Sequence, residues 1–263
     1  MAGAAGGIWK TVNAGTTFFP LWGQEANASM GDIAIAPSDT KIIWAGTGEQ
    51  NSRNTAAPGY GVYKSVDGGV TWKSMGLQKT QHIGRIVIHP TNPNIVYVAA
   101  LGAMWTSNPE RGLYKTTDGG NSWQLIKFIS DKAGFVDIVM DPKDPNTLYA
   151  AMWQRVRRKW SDPRVEPNYS ESGIWKTTDG GVTWNPINSG LPEPKFRGRI
   201  GLDIARSNPN VIYAVVDSYD AGRAARPGER ASAGRGRDRT ATARSTPACL
   251  RASRRRATRN PRR

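Results

Sequence analysis

One ten-residue phrase, Tyr63-Lys-Ser-Val-Asp67-Gly-Gly69-Val-Thr71-Trp72, decides the fold because the chain contains it three times. It returns as Tyr114-Lys-Thr-Thr-Asp118-Gly-Gly120-Asn-Ser122-Trp123 and as Trp175-Lys-Thr-Thr-Asp179-Gly-Gly181-Val-Thr183-Trp184. A degenerate copy, Trp9-Lys-Thr-Val-Asn13-Ala-Gly15-Thr-Thr17-Phe18, precedes them. A phrase that recurs at a nearly fixed spacing indicates a repeat architecture. It also indicates that the repeated residues belong to the scaffold rather than to an active site.

Between the phrases, a second pattern of two short apolar strands joined by a Pro/Asn/Asp turn recurs. One copy runs from Arg85-Ile-Val-Ile-His-Pro90 through Asn94 to Ile95-Val-Tyr-Val. Together with the strands on either side of each Asp-Gly-Gly, every unit has four short strands, and no segment shows sustained helical periodicity. Four-stranded units of roughly 50 residues are typical of β-propeller blades. We therefore predict an all-β chain of four-stranded antiparallel blades.

The phrase itself predicts a hairpin turn between the third and fourth strands. Glycine accepts a positive φ without a steric clash, and the Asp carboxylate can accept hydrogen bonds from turn amides. The Trp that follows would pack between sheets. A calcium or catalytic role is the alternative, but each Asp lacks a second carboxylate beside it. We assign a structural role to six residues: Asp67, Asp118, Asp179, Trp72, Trp123 and Trp184.

The net charge of +15 is concentrated in the C-terminal tail, residues 221–263. The tail holds 14 Arg and two acids and so contributes +12, whereas residues 1–220 contribute +3. It has no Ile, Val, Met, Phe, Tyr or Trp, so we expect it to be disordered. It is either an Arg-rich arm for nucleic acid or anionic surfaces, or the product of a frameshift or truncation after Asp220. Nucleic acid is expected as a partner only through this tail.

Few sequence features bear on the compartment. The one cysteine, Cys249, lies in the tail, so a disulfide or thiolate metal site in residues 1–220 is excluded. The first residues lack the basic and apolar regions of a signal peptide. The sequence also contains no run of about 20 apolar residues, the length that a membrane-spanning helix needs. The two histidines, His82 and His89, have no partner at metal-ligand spacing, and we expect neither a metal nor a cofactor.

The phrase resembles the Asp-box, or BNR repeat, Ser/Thr-x-Asp-x-Gly-x-Thr/Ser-Trp. Proteins with this repeat include sialidases, xyloglucanase-type glycoside hydrolases and sortilin. The chain is similar overall to exported bacterial propellers of the sortilin-like or glycosyl hydrolase type. The phrases that carry this second resemblance are Gly46-Thr-Gly-Glu49, His82-Ile-Gly-Arg85-Ile-Val and Tyr149-Ala-Ala-Met-Trp-Gln154-Arg. The resemblance implies a secreted or periplasmic location and a ligand that is a peptide, a protein or a glycan.

The repeat also predicts the domain organisation. Residues 1–220 form a partial propeller and residues 221–263 a separate tail. Complete blades are expected at 30–75, 84–126 and 135–187. Residues 1–21 and 199–216 would supply half-blades, so we expect a fragment of a longer propeller.

Function is expected on the face opposite the Asp-Gly-Gly turns, where the long loops emerge. Exposed aromatic and charged side chains there suit sugar rings or extended peptides. The candidate ligand-binding residues are Glu49, Arg53, His82, Trp105, Arg155, Trp160 and Arg197.

Glycoside hydrolysis is the alternative function, and it needs two carboxyl groups on either side of the scissile bond. Glu49 and Asp162 are the candidates, and no spacing selects a pair. The resemblance to xyloglucanases places Ala4 where a catalytic Asp would stand. A sialidase would need three arginines that converge on a carboxylate. Arg85, Arg197 and Arg199 are present, but no motif connects them. Whether the chain is an enzyme is left open.

Overall fold

The computed structural model describes residues 1–3, 5–23, 25, 28–51, 55–157, 170–219 and, for the backbone alone, 248–251. In these residues the chain forms eighteen β-strands and two 3-10 turns, at Gln78–Thr80 and Pro194–Phe196. No helix among them is long and apolar enough to cross a membrane. The prediction of an all-β chain is confirmed.

The strands form five consecutive antiparallel sheets, here numbered I to V. Sheet I holds β1 (Ala2–Gly3), β2 (Gly7–Lys10) and β3 (Phe19–Pro20). Sheet II holds β4 (Met30–Ala36), β5 (Asp39–Thr47), β6 (Val62–Ser65) and β7 (Lys73–Ser74). Sheet III holds β8 (Ile83–Ile88), β9 (Val96–Ala100), β10 (Gly112–Thr116) and β11 (Gln124–Lys127). Sheet IV holds β12 (Ala133–Met140), β13 (Leu148–Gln154), β14 (Gly173–Thr177) and β15 (Asn185–Pro186). Sheet V holds β16 (Arg197–Ile204), β17 (Val211–Ser218) and β18 (Ala248–Arg251).

The three complete sheets match the three predicted blades, and each of the end sheets has three strands. This is the predicted propeller arrangement of about three complete blades with partial blades at each end. The tail predicted to be disordered lies outside the described residues, except for β18. The backbone of β18 pairs with the first half of β17, from Val211 to Ala214.

The first strands of sheets II to V lie next to one another because small residues let their backbones approach closely. A Cβ atom added at Gly31 would stand 2.0 Å from the carbonyl oxygen of Ile83 in the next sheet. One added at Gly84 would stand 2.5 Å from the carbonyl oxygen of Val136. Any larger residue at these positions would push neighbouring sheets apart, so the two glycines set the spacing between sheets.

Polar side chains then connect these inner strands in series. The Asp32 carboxylate accepts the backbone N–H of Ile86 at 2.7 Å. Arg85 donates through Nε to Asp137 at 2.9 Å, and Asp137 accepts the N–H of Leu202 at 2.8 Å. Each contact joins one sheet to the next, so the series ties sheets II to V together.

Apolar side chains fill the space between neighbouring sheets. Between sheets II and III, Trp44 and Val98 are fully buried and Ile86 is 3% exposed. Between sheets III and IV, Phe135 and Leu148 are fully buried. Full burial of such a side chain contributes about 1.5–3 kcal/mol, which makes these intersheet layers the main source of stability.

Each repeated phrase forms a tight turn between the third and fourth strands of its sheet, called here the Asp-Gly-Gly turn. In sheet II the Asp67 carboxylate accepts hydrogen bonds from the N–H of Val70, the N–H and hydroxyl of Thr71 and the hydroxyl of Ser65. The hydrogen bonds from Thr71 and Ser65 hold the pKa of Asp67 well below its usual range. The carboxylate therefore acts as the centre of the turn.

The Trp that ends each phrase anchors the turn, in two different ways. Trp72 and Trp123 donate through Nε1 to the carbonyls of Leu21 and Met75, each directly after the last strand of the preceding sheet, at 2.7 Å. Trp184 instead donates to the carbonyl of Gly181 in its own turn at 3.2 Å. All three rings pack at an intersheet boundary, so the turns stabilise the contacts between sheets.

Two faces result from this topology. The Asp-Gly-Gly turns lie beside the connections between first and second strands, as the hydrogen bond from Gly119 N–H to the Asn94 carbonyl shows. We call this side the turn face. The connections between second and third strands leave from the opposite side, together with the connections between sheets. We call that side the loop face.

Candidate functional site

Three long loops cover the loop face. The first loop is 48–61, the second is 101–111 and the third is 155–172, of which 158–169 lie outside the described residues. They meet over the inner strands, since Ala56 from the first loop packs in one buried cluster with Met104 from the second. The end of β13 contributes Trp153 to the same cluster, and β16 contributes Ile200. The first and second loops therefore rest on a common apolar base.

The first loop is held by buried hydrogen bonds at its two ends. The backbone N–H of Glu49 donates to the carbonyl of Ala57 and to the hydroxyl of Ser29, both at 3.0 Å. The hydroxyl of Thr47 donates to the carbonyl of Gly61 at 2.7 Å. Glu49 is only 4% exposed, so this candidate residue lies beneath the loop surface.

The second loop is organised by Arg111, which is fully buried. Its guanidinium donates to the backbone carbonyls of Leu101, Ala103 and Thr106. Burial lowers the pKa of Arg111 to about 10, which still leaves it charged at neutral pH. A buried cation that donates to three carbonyls of one segment fixes the shape of that segment.

His82 lies beneath the first two loops and is fully buried. Its Nδ1 donates to the carbonyl of Gly102 at 3.0 Å, and its Nε2 is buried without a hydrogen-bond partner among the described residues. Burial lowers the pKa of His82, Arg111 lowers it further, and Glu49 raises it in part. The imidazole is therefore neutral at pH 7 and supports the second loop from below.

Trp105, at the tip of the second loop, is an exposed aromatic residue of the site, as is Tyr60 at the end of the first loop. Its side chain is 38% exposed, and the guanidinium carbon of Arg157 lies 5.8 Å from the centre of its ring. The N–H of Arg157 donates to the carbonyl of Met104 at 2.7 Å, which fixes the third loop beside the second. The site thus presents an indole with a guanidinium over its ring at cation–π distance.

Two further cations lie around a second indole, that of Trp153. The guanidinium carbons of Arg155 and Arg199 lie 5.7 Å and 6.0 Å from the centre of its ring. Arg199 also donates to the side-chain oxygens of Gln50, at 2.7 Å, and Asn51. Sheet V is therefore connected to the first loop of sheet II across the loop face, and burial lowers the pKa of Arg199.

Arg197 lies apart from this group, at the start of β16. It donates through Nε to the carbonyl of Pro192 at 2.6 Å and through Nη1 to the carbonyl of Ser172 at 3.5 Å. Burial lowers its pKa. Arg197 thus joins the third loop to the connection between sheets IV and V.

The structure brings the candidate residues together in two layers. Glu49, His82 and Arg155 are buried below, and Trp105 is exposed above. Arg53, Trp160 and Asp162 lie outside the described residues, as does Ala4. The sequence did not indicate Trp153 as a site residue, because it looks like one more apolar residue of a strand. The one signal is the polar pair Gln154-Arg155 that follows, which indicates that the strand ends at this face.

The three long loops hold three described carboxylates, Glu49, Glu110 and Glu171. Besides buried Glu49, Glu110 accepts from the amide of Asn108 at 3.2 Å and Glu171 accepts from the hydroxyl of Ser130. No group of three or more His, Cys, Asp or Glu side chains in the described part of the chain could hold a metal ion.

A cavity of about 740 Å³ also opens between the inner strands toward the turn face. Its wall is mainly apolar, with Pro37, Pro90 and Pro142 at the strand ends, and Arg85 and Arg206 among the charged groups.

The curated relatives of this chain are xyloglucanases. The "Probable oligoxyloglucan-reducing end-specific xyloglucanase" of Neosartorya fischeri is 28% identical over 127 residues, which are 48% of this chain and 14% of that protein. Xyloglucanase Xgh74A of Acetivibrio thermocellus is 26% identical over 143 residues, which are 50% of this chain and 15% of that protein. The chain therefore spans about one seventh of the length of these relatives.

A solved structure shares the fold. The crystal structure of the Niastella koreensis GH74 enzyme matches with a TM-score of 0.57 and 20% identity, covering 83% of this chain and 34% of that chain. This likeness confirms the predicted propeller fold. The family described as Sortilin-Vps10 (Sortilin, neurotensin receptor 3) matches residues 60–230. Because this match covers more than half of the 263 residues, the chain belongs to the Sortilin-Vps10 family.

Proposed function

We propose that this chain is an extracellular carbohydrate-binding propeller module whose ligand lies on the loop face against Trp105. The observation that carries the proposal is the exposed indole of Trp105 with the guanidinium of Arg157 over its ring. An indole offers an apolar face to the C–H side of a sugar ring, and the guanidinium beside it offers donors to the ring hydroxyls.

The fixed positions of the neighbouring loops support this assignment. Arg111 holds the second loop through three carbonyls, and the first loop is held through Glu49 and Thr47. A surface that is already ordered loses little conformational entropy when a ligand binds. Trp105 therefore stands on a segment suited to a rigid ligand such as an oligosaccharide.

The relatives narrow the ligand class. Those found are named xyloglucanases, so a glucan chain with sugar side branches is the first ligand to test. An extended peptide or a protein is the alternative ligand, since the family to which the chain belongs is described by sortilin and a neurotensin receptor.

The direct experiment is a screen of the whole chain against a glycan array that contains xyloglucan oligosaccharides and, in parallel, against a peptide library. Binding to glucan-type glycans supports the proposal. Binding to peptides alone would move the ligand to the alternative class, and silence on both would overturn ligand binding at this face.

Glycoside hydrolysis is the second candidate function, and the names of the relatives favour it. Hydrolysis needs an acid and a base or nucleophile on either side of the bond. In the described residues Glu49 is a buried carboxylate beneath the loop face, and Asp162 lies outside them. Release of reducing ends from xyloglucan that disappears in both Glu49→Gln and Asp162→Asn would establish an enzyme, and its absence in the unmodified chain would reject this candidate.

A further inference from the structure

The tip of the second loop, residues 103–108, is closed by one side chain. The tip carries Trp105, and Asn108 is its last residue. The side-chain oxygen of Asn108 accepts the backbone N–H of Ala103, the first residue of the tip, at 3.1 Å. This hydrogen bond connects the two ends of the tip. The backbone on both sides of Trp105 is therefore held in one closed turn.

Asn108 also connects the tip to the segments on either side of it. Its amide nitrogen donates to the Glu110 carboxylate at 3.2 Å and to the carbonyl of Lys79, between sheets II and III, at 3.5 Å. Its backbone N–H donates to the carbonyl of Asp131, between sheets III and IV, at 2.9 Å. Because the side-chain amide accepts through its oxygen and donates through its nitrogen, these partners fix its orientation.

The start of the second loop is shaped to receive Asn108. A Cβ atom added at Gly102, which has a φ of 81°, would stand 2.6 Å from Oδ1 of Asn108 and 2.2 Å from Cγ of Arg111. Only glycine leaves room for both side chains at this point. Arg111 donates to the carbonyls of Ala103 and Thr106 inside the tip. Asn108 and Arg111 thus hold the tip through two sets of hydrogen bonds.

Trp105 is exposed on a turn whose base is buried. Its side chain is 38% exposed, whereas Ala103 is 4% exposed and Met104 is fully buried. The carbonyl of Met104 accepts the N–H of Arg157 at 2.7 Å, which fixes the backbone directly before the indole. A side chain that contacts a ligand keeps its orientation only if the residues that support it are themselves held in place. The closed tip therefore sets the direction of the indole.

From these contacts we propose that Asn108 is a positioning residue of the carbohydrate site on the loop face. It holds the indole of Trp105 in the orientation that a sugar ring needs, and it acts without touching the ligand. This inference rests on the proposed function, since it takes Trp105 as the ring on which the ligand lies. A ring that is held in place loses little freedom on binding, so removal of the Asn108 side chain should weaken affinity although Trp105 is still present.

The first experiment follows Trp105 itself and needs no ligand. The full chain is labelled with 5-fluorotryptophan, and the fluorine NMR signal that is absent from Trp105→Phe is that of Trp105. Asn108→Ala should shift and broaden this signal, because the tip is no longer closed. Asn92→Ala is the matched control, since Asn92 accepts the N–H of Asn94 at 3.1 Å in a turn of the same sheet on the turn face. An unchanged Trp105 signal in Asn108→Ala would overturn the proposal.

The second experiment is calorimetric titration of a xyloglucan oligosaccharide into the same variants, each well below its midpoint of thermal unfolding. Asn108→Ala should bind at least about fivefold more weakly than the unmodified chain, and Asn92→Ala should bind equally well. Equal affinity in Asn108→Ala and the unmodified chain would overturn the proposal. Absence of binding in the unmodified chain would instead reject the proposed function and with it this site, whereas the fluorine signal would still show whether Asn108 holds Trp105.

A rescue separates positioning from a general effect on folding. Asn108→Asp keeps an acceptor for the N–H of Ala103, but it removes the amide donor and brings a second carboxylate against Glu110. Glu110→Gln returns an amide donor to this contact. Asn108→Asp should therefore weaken binding and change the Trp105 signal, and its combination with Glu110→Gln should restore both. A combination that restores neither the affinity nor the signal would contradict the role of Asn108.

Discussion

Arg85 and Asp137 form a salt bridge across two neighbouring sheets, with Arg85 Nε 2.9 Å from the Asp137 carboxylate. The Asp137 side chain is 10% exposed and the Arg85 side chain 44%. Asp137 also accepts the N–H of Leu202 from the following sheet. One carboxylate therefore links three sheets, and it does so where the inner strands approach most closely.

We predict that Asp137→Ala lowers the free energy of unfolding by about 3 kcal/mol, because it leaves a buried N–H and an arginine without their acceptor. Urea denaturation measures the change. Asp203→Ala is the comparison, since Asp203 is exposed on the neighbouring inner strand and, although it also attracts Arg85, its one hydrogen bond is to Ile204 of its own strand, so its effect should be smaller. Equal losses in the two variants would contradict the linking role.

The Asp-Gly-Gly turns should give the protein an acid-sensitive component of stability. Hydrogen bonds from Ser122 and Thr116 hold the pKa of Asp118 well below its usual range in the folded chain. That stability is present above the unfolded pKa of about 4 and is lost as the pH falls toward the folded pKa.

Asp118→Asn should therefore lower the melting temperature at pH 7 and reduce its dependence on pH below about 4. Thermal unfolding followed by circular dichroism over a pH series tests this. Asp39→Asn is the control, because Asp39 lies outside the repeated turns. A pH dependence that is unchanged in Asp118→Asn would show that the carboxylate contributes nothing to the turn.

The first turn is strained at one residue. Ala14 has a φ of 54°, in the left-handed region that costs a residue with a Cβ about 1 kcal/mol. Ala14→Gly should therefore stabilise the chain by about that amount. Ala34→Gly, inside β4, should destabilise it. A loss of stability in Ala14→Gly, measured by urea denaturation, would contradict the assigned conformation.

The repeated phrase was sufficient to predict the class of fold, the number of complete sheets and the place of the turns. It was not sufficient to predict how the Trp residues anchor these turns, because Trp72, Trp123 and Trp184 have the same position in the repeated phrase but different hydrogen-bond partners. Trp184 bonds within its own turn since the geometry of the neighbouring sheet decides which carbonyl it meets. Such differences depend on contacts between sheets, which a local pattern does not contain.

His82 should make the chain less stable below neutral pH. Burial lowers its pKa, Arg111 adds to this, and Glu49 opposes it. The unfolded chain takes up a proton below about pH 6.5, whereas the folded chain resists protonation, so stability falls as the pH drops below that value.

His82→Asn, whose amide can still donate to the Gly102 carbonyl, should remove the fall in stability between pH 7 and pH 5 that is due to this group. His89→Asn should leave it in place. Chemical denaturation at a series of pH values gives the comparison. An unchanged pH dependence in His82→Asn would mean that His82 is protonated equally in the folded and unfolded chains.

The candidate site was predicted less completely than the fold. The sequence indicated the loop face and named Trp105, Arg155 and Glu49, but it could not tell which of them are exposed. Arg199 contacts Gln50 and Asn51, which lie about 150 positions away in the sequence, and no spacing along the chain predicts this contact. Burial and contacts between distant sheets come from tertiary packing, so they are visible only in the folded structure.

The measurement that tests the account most directly is calorimetric titration of a xyloglucan oligosaccharide into the full chain and into Trp105→Ala. Phe128→Ala is the control, as its side chain has nearly the same exposure. We predict binding to the unmodified chain and to Phe128→Ala, and a loss of affinity of at least about tenfold in Trp105→Ala. Equal affinity in all three proteins, or no heat of binding in the unmodified chain, would contradict the proposed carbohydrate site.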